Sequence, residues 1–600
     1  MSESPSPSSP SPLPAATDPK KSPLLHLGHP EGAHIPFFEW PREAAPVVRH
    51  VHILIFAIVA IGIAFLGHYL EDLGHHAQTP DVTLPWVIPF AMLLASIATM
   101  PFIAKHFWEK HYHHVAIILA LIVSFYYIFF LETGAGAERA DVEKAAGFFG
   151  QRAGSALAGS FGEYISFIFL LGSLFTVSGG ILISVRRKAT PVVNTTLLLT
   201  GAIIANIFGT TGAAMILIRP FLRINKGHIR PYHIIFFIFI VANVGGSLTP
   251  IGDPPLFLGY LKGVPFWWVA EHCWPMWLVA VGCLTAMFFI FDTLGQRKTE
   301  RAPHDADDFG PAVSIFGVSN LLLVFAILAG VLLHDDLVHI APLPWRELIM
   351  IAAVSLSLWT TPHKIHLENV FNFAPIKEVA LLFIGIFATM VPALNYLSNH
   401  AHDPALEKYL HTPGQFYYSS GTLSSILDNA PTYVTFLETE IGKLDKNLIL
   451  VANEVVKDPN KSEPSQSDYE RLRELNPERY ANPQLFNADK EALNNAIEAL
   501  RKYHRDNVRT GQLTASQIQV GFLLGNEQLN WYIVAVSLGS VFFGAMTYIG
   551  NGPNFMVKSI AENAQAPCPS FFGYIFRYSL PLLLPVLILI WWIFLLNHAG

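Results

Sequence analysis

Two carboxylates stand where an apolar chain is interrupted. Asp253 lies in Asn243-Val-Gly-Gly-Ser-Leu-Thr-Pro-Ile-Gly-Asp-Pro-Pro255, and Asp428 lies in Ser424-Ser-Ile-Leu-Asp-Asn-Ala-Pro431. A carboxylate at membrane depth costs a few kcal/mol, about 2.5–3.5 on insertion scales, and marks a functional site by default. It can hold a cation or take a proton, and loss of solvent favours the protonated form. Around the two acids the sequence supplies neutral oxygens and amides: Asn206, Thr210, Thr211, Asn243, Thr249, Asn429, Thr547, Asn551 and Asn554. Carbonyls freed where a helix breaks add hard oxygen ligands suited to Na⁺. Half-helix N-termini at the same places favour an anion. The residue types therefore admit a cation, for which Asp253 and Asp428 are the metal-ligand candidates, or an anionic substrate. Either acid could alternatively serve only to cap a helix.

The stretch carrying Asp253 follows the apolar run 233–241, yet Gly245, Gly246, Pro250, Gly252, Pro254 and Pro255 prevent a continuous helix. The pattern returns in Phe543-Gly-Ala-Met-Thr-Tyr-Ile-Gly-Asn-Gly-Pro-Asn-Phe555. Gly246, Thr249, Ile251, Gly252, Pro255 and Phe257 recur at one constant offset as Gly544, Thr547, Ile549, Gly550, Pro553 and Phe555. Broken backbone at membrane depth is tolerated only inside protein or against a wet cavity. Two interrupted segments at matching places in two halves point to a transporter's binding site.

The rest of the chain is suited to hold such a site in a bilayer. Of 600 residues, 52% are hydrophobic and 14% charged, against about a quarter charged in a soluble domain. This predicts an all-α polytopic membrane protein whose first partner is the lipid bilayer. About 11 spans of membrane-crossing length are expected near 51–70, 84–103, 113–132, 163–185, 232–258, 266–291, 313–333, 346–361, 378–398, 529–560 and 572–597. Two further apolar segments, 190–222 and 413–440, are interrupted by Asn206-Ile-Phe-Gly-Thr-Thr-Gly212 and by the Asp428 sequence. Basic residues flank the first at both ends: Arg186, Arg187 and Lys188 before it, Arg219, Arg223, Lys226 and Arg230 after it. By the positive-inside rule it enters and leaves on the cytoplasmic side, as a re-entrant hairpin with its tip near 209–212. Arg297 to Arg301 fall inside, Glu71-Asp72 and Asp335-Asp336 outside. The N-terminus is then cytoplasmic, and the second hairpin enters from outside. Two short full crossings would preserve the same flanks.

The halves beginning at Glu163 and Glu378 run in the same order, so their topology is inverted. They come close to register once the charged segment 441–527 is set aside as an extramembrane insertion of short amphipathic helices. Glu163 and Glu378 read as structural acids at helix starts, and His106, His111, His113 and His114 as interfacial. Cys273, Cys283 and Cys568 show no disulfide or metal spacing. No basic tract suggests nucleic acid. No His-Glu-x-x-His, P-loop or Gly-x-Ser-x-Gly motif is present, so neither a hydrolase nor an ATP-driven pump has visible machinery, and no cofactor is expected.

With these elements in place the chain resembles the ion transporter superfamily: citrate and divalent-anion transporters, NhaD-type sodium/proton antiporters and arsenite permeases. The resemblance runs from about Glu163 to the C-terminus. Thr249-Pro250-Ile251 is similar to the loop of the first broken helix, and Thr547-Tyr548-Ile549 to the second, with Tyr replacing Pro. Gly252-Asp253-Pro254-Pro255 and 425–433 look like the sodium/proton-antiporter or citrate-transporter-like group of bacterial membrane proteins. The dicarboxylate branch carries Ser-Asn-Thr at its hairpin tips. This chain has Gly209-Thr210-Thr211 and Asp428-Asn429-Ala430, and an acidic tip suits a cation better than citrate.

The resemblance implies two inverted repeats, a dimerising scaffold and a transport domain that moves. On that basis 1–45 is a disordered Ser/Pro-rich region, 46–160 N-terminal scaffold helices, 161–292 the first repeat, 293–377 scaffold helices and linker, and 378–600 the second repeat. The expected function is Na⁺/H⁺ antiport by carboxylate competition, in a homodimer of the bacterial inner membrane. Ion-coupled citrate or dicarboxylate symport is the alternative, and a channel or membrane scaffold is a third class.

Overall fold

The structure is a computed structural model that describes residues 46–75, 80–131, 154–185, 189–296, 313–334, 337, 341–369, 371–400, 408–458, 461, 463–511 and 513–598. The expected disorder of 1–45, Arg186 to Lys188, Arg297 to Arg301 and Asp335-Asp336 lie outside the described residues.

The chain opens with α1 (Pro46–His75), α2 (Ile88–Ile103), α3 (Lys105–Phe129) and α4 (Gly154–Gly179). On α1 to α3 most large apolar side chains are exposed, among them Leu54, Ile58, Leu121 and Phe125. Such surfaces are stable only against lipid. Next come the strand β1 (Leu182–Val185), α5 (Pro191–Ile224), α6 (Pro231–Ile240), α7 (Pro254–Leu261) and α8 (Trp268–Gln296). They are followed by β2 (Val313–Phe316), α9 (Ser319–Leu332), α10 (Trp345–Thr360), α11 (Ala374–Asn399), α12 (Pro413–Ile426) and α13 (Asn429–Ile441). The segment beyond is helical too, with α14 (Lys446–Lys457), α15 (Gln466–Leu475), α16 (Pro483–Tyr503) and α17 (Ala515–Gly525). The chain closes with α18 (Asn530–Phe543), α19 (Gly552–Asn563) and a last helical run, Phe571–His598.

Eight helices among the described residues are long and apolar enough to cross a membrane. The protein is an all-α, multi-pass membrane protein. Seven of the eight long helices fall on expected spans. The expected spans 232–258 and 529–560 are broken, and those at 313–333 and 346–361 hold shorter helices, with one correction to their limits. Residues 182–185 and 313–316 were expected inside spans but form a short antiparallel ribbon, Leu182 opposite Phe316 and Val185 opposite Val313. Helix α4 stops at Gly179-Gly180, and Gly317, at φ 76°, turns the chain out of β2. Between them lie β-branched residues that fit a strand. A second correction concerns Glu163, which sits in the third turn of α4 rather than at a helix start.

One of the eight long helices folds back on itself. A straight α5 would hold Asn194 and Asn225 roughly 46 Å apart at 1.5 Å per residue. Their side-chain amides instead hydrogen-bond reciprocally at 2.9 Å. The fold-back is at Gly209, whose φ of 73° and ψ of 157° suit only glycine. Helices α12 and α13 make the second hairpin. At its base Lys443 Nζ donates to Leu410 O at 2.9 Å and lies over the Phe416 ring.

The two hairpins enter from opposite ends of α8. Near its C-terminus Asp292 accepts a 2.9 Å bond from Asn194, at the base of the first hairpin. Just before its N-terminus Lys262 contacts Glu438, on the outgoing arm of the second. Helix α8 has 29 residues, roughly 43 Å, while the arms from Asn194 to Gly209 and along α13 span roughly 22 and 20 Å. The tips therefore meet near the middle of its length.

The segment carrying α14 to α17 packs around a core of its own, including Leu448, Val451, Val455, Leu472, Leu493, Ile497 and Leu500. Helices α17 and α18 bend by 105° where this segment rejoins the membrane part.

Candidate functional site

The two broken helices are built alike. Helix α6 ends at Ile240, a 3-10 turn follows at Val244–Gly246, and α7 begins at Pro254. Helix α18 ends at Phe543, a 3-10 turn follows at Gly544–Met546, and α19 begins at Gly552 with Pro553 next. Proline in the first turn of each second half costs nothing, since its missing N–H would be unpaired there anyway. Thr249 Oγ1 donates to Asn206 O at 2.5 Å and accepts from Gly252 N. Thr547 Oγ1 donates to Ser425 O at 2.6 Å and accepts from Gly550 N. Each threonine thus ties its broken helix to the neighbouring hairpin. Gly252 packs directly on the Gly246 carbonyl, leaving no room for a Cβ.

The equivalent position just before each second half-helix holds Asp253 in one loop and Asn551 in the other. Both have extended backbone and neither side chain caps its helix. The oxygens of Asp253 are committed elsewhere. Asp253 is fully buried and accepts from Thr210 Oγ1 at 2.7 Å, Asn429 Nδ2 at 2.5 Å and Asn551 Nδ2 at 3.2 Å. Its three donors come from the first hairpin tip, the second hairpin tip and the second broken helix. Asn551 Nδ2 also reaches Asn243 Oδ1 at 3.1 Å. Asn243 Nδ2 donates to Asn554 Oδ1 at 2.6 Å, and Asn554 Nδ2 to Gly544 O and Thr547 O.

This buried amide network holds one carboxylate, and every donor to it is neutral. No Lys, Arg or His forms an ion pair with Asp253 among the described residues. Asp428 is the N-cap of α13, its Oδ1 accepting from Ala430 N at 3.2 Å. It directly precedes Asn429, whose Nδ2 bonds Asp253. Beside them Asn429 Oδ1 is buried and has no hydrogen-bond partner. Carboxylate and amide oxygens are hard donors, and no group of three or more His, Cys, Asp or Glu is gathered for a metal ion among the described residues.

A cavity of about 20 Å³ adjoins the first hairpin tip, lined by Thr210, Thr211, Pro250 and Gly252 on one wall and by Leu170, Leu174 and Phe175 of α4 on the other. That is room for about one water, and none of Asp253, Asp428 and Asn429 lines it.

A family model described as "Putative citrate transport" matches residues 79–595. The chain belongs to this citrate-transport family. The match spans both hairpins, both broken helices and the 441–527 segment, so the whole assembly around Asp253 lies within the family's boundaries. No curated protein matches the chain.

Among the sequence-selected residues, Asp253, Thr210, Asn429, Asn551 and Asn243 come together in one network, and Asp428 lies beside it. Thr211 lines the adjoining cavity. Thr249 and Thr547 face hairpin backbone. Asn554, another of the amides the sequence offers, stands three positions after Asn551 and belongs to the same network. Sequence reasoning missed Lys262, which contacts Glu163 and Glu438, because a lysine at the end of a short apolar helix reads as an interfacial anchor. The His233–Asp292 pair, buried on both sides, was missed as well. Asp292 accepts from His233, Tyr232, Asn194 and Gln296 at 2.9–3.2 Å.

Proposed function

We propose that this protein is a secondary active transporter of the Na⁺/H⁺ antiport type, in which Asp253 and Asp428 hold a proton and a cation in turn. The observation that supports this reading is a fully buried carboxylate with only neutral donors, next to an amide oxygen that lacks a partner. A charged Asp253 in that setting needs a counter-charge, and a cation or a proton each supplies it. Either also supplies what Asn429 Oδ1 lacks. Cation and proton then compete for one place, and competition at a site open to each side in turn is exchange. The Asn429 and Asn551 amides adjust the shell, while Thr249 and Thr547 keep the loops in register with the hairpins.

The same reading takes the two halves as inverted repeats. The hairpins enter from opposite ends of α8, and the loops at 243–255 and 543–555 share their turn, proline and threonine ties. It takes the protein as a homodimer in a bacterial inner membrane, with its N-terminus in the cytoplasm.

The family description favours a second reading, citrate-type symport, with half-helix N-termini facing the anion. The buried acid with neutral donors argues for the cation. Purified protein in proteoliposomes, tested with a panel of monovalent cations at several pH values and with labelled citrate, decides between them. Cation-driven proton movement without citrate is the expected result. Citrate uptake that needs a cation and moves no protons would replace the first reading with the second.

A further inference from the structure

The turn after α7 joins three parts of the molecule. Lys262 Nζ lies 2.9 Å from Glu163 Oε1 on α4 and 3.4 Å from Glu438 Oε1 on α13, with all three side chains at most one-fifth exposed. The next residue, Gly263, takes φ 105° and gives its carbonyl to His504 Nε2 at 2.9 Å, on the segment between α16 and α17. Its Cα side packs on Gln517. Lys262 ends the half-helix that starts beside Asp253, and Glu438 stands on the hairpin arm that starts at Asp428. Each partner is thus connected by one short helix to an acid of the site. Glu163 belongs to α4, which also forms the far wall of the small cavity. On α13, Asp428, Pro431, Thr435 and Glu438 recur at helical spacing, so one face leads from the ion contact to the site.

We propose that Lys262 is a positioning residue that bolts the second hairpin to α4, so that the mouth at this end of α8 opens only when the Lys262 contacts separate. The inference rests on the reading that the Asp253 network is the transport site, but it concerns access rather than the ion carried. One ammonium bridges two acids that would otherwise repel across this end of α8, and breaking a partly buried ion pair leaves an uncompensated charge. The bolt therefore favours closure without sealing it permanently. The 441–527 segment, seated on Gly263, holds the lysine's end of the helix in place.

The test reads accessibility and needs no transport. In a background with Cys273, Cys283 and Cys568 replaced, Thr435→Cys places a reporter thiol on the face between Glu438 and Asp428. Its reaction with a membrane-impermeant maleimide is followed in vesicles of both orientations. Lys262→Met should speed labelling by about tenfold or more from one side only, and Lys262→Arg should restore the slow rate. Equal rates in the parent and Lys262→Met would overturn the proposal. Should Lys262→Met prove not to be monodisperse, Glu163→Gln carries the test, because it keeps the Lys262–Glu438 contact. Labelling faster than the parent supports the bolt, and an unchanged rate overturns it. A failed antiport assay with intact labelling changes would discard the ion assignment and leave the bolt standing.

Discussion

Replacing Asp253 by Asn separates the charge from the hydrogen bonds it receives. The carboxylate accepts from Thr210, Asn429 and Asn551. An amide of the same shape has one oxygen to accept and one NH₂ that would face a donor. Asn429 can resolve that conflict by rotating its own amide, since its Oδ1 has no partner to lose. The net change in hydrogen bonding is about one bond, worth about 1 kcal/mol, so Asp253→Asn should fold and purify like the parent. Asp253→Leu removes the acceptor from three buried donors at about 1–3 kcal/mol each and should fail to give monodisperse protein. The functional loss runs the other way. Removing one member of a buried charge pair costs about 3–5 kcal/mol, which at about 1.4 kcal/mol per factor of ten predicts a loss of about two to four powers of ten in cation affinity for Asp253→Asn. The assay is pH-dye exchange in proteoliposomes over a range of Na⁺ concentrations, with thermal unfolding of the same preparations alongside. Cation-coupled proton movement within a few-fold of the parent, in a well-folded Asp253→Asn protein, would refute the reasoning.

Four further outcomes are expected. Asp428→Asn should keep the α13 cap, since Asn caps as well as Asp, so any loss of exchange at unchanged melting temperature reports charge alone; Asp428→Ala should also lower stability by about 1 kcal/mol. Gly209→Ala should destabilise by about 1–3 kcal/mol, because φ 73° with ψ 157° is a glycine conformation and the added Cβ would lie 3.2 Å from Ile251 O; thermal unfolding in detergent measures it. Asp292→Ala should lower the melting temperature more than Asp292→Asn, since it leaves the donors Asn194, Tyr232 and Gln296 without their acceptor. In the 441–527 segment Asp468 is partly desolvated, but the Lys461 ammonium and Ser465 hold its carboxyl below the usual range. A depressed acid stabilises the fold above its unfolded value, near 3.9, and the contribution fades as pH falls through the lower folded value. Limited proteolysis of full-length protein should therefore show Asp468→Asn more labile than the parent above about pH 4, with the gap closing under stronger acid.

The fold was largely readable because its signals are local. Apolar runs announce spans, and glycine with proline announces breaks. The hairpins too were legible, from basic residues at both ends of 190–222 and from the interrupting Asn206 to Gly212. The ribbon of 182–185 and 313–316 was not, since Leu-Ile-Ser-Val and Val-Ser-Ile-Phe are as apolar as the spans they adjoin, and strand pairing across more than a hundred residues leaves no local mark. At the site, residue types singled out Asp253, Asn429 and Asn551, and the matching loops suggested that they meet. What no spacing reveals is who bonds whom. That Asp253 is not a cap while Asp428 is, and that Lys262 reaches two glutamates from different helices, depends on side-chain directions fixed by tertiary packing.

The placement of the acids has an electrical consequence. One comes from each half of the chain, Asp253 from the first and Asp428 from the second, and both lie where the two hairpin tips meet. A carrier that shifted this place across the bilayer empty and unprotonated would drag up to two negative charges through the membrane voltage. Each would be worth about 2.3 kcal/mol per 100 mV, against the crossing in one direction and with it in the other. On the reading proposed above, the cost of taking bare carboxylates through lipid is then what disfavours a return without a passenger in both directions.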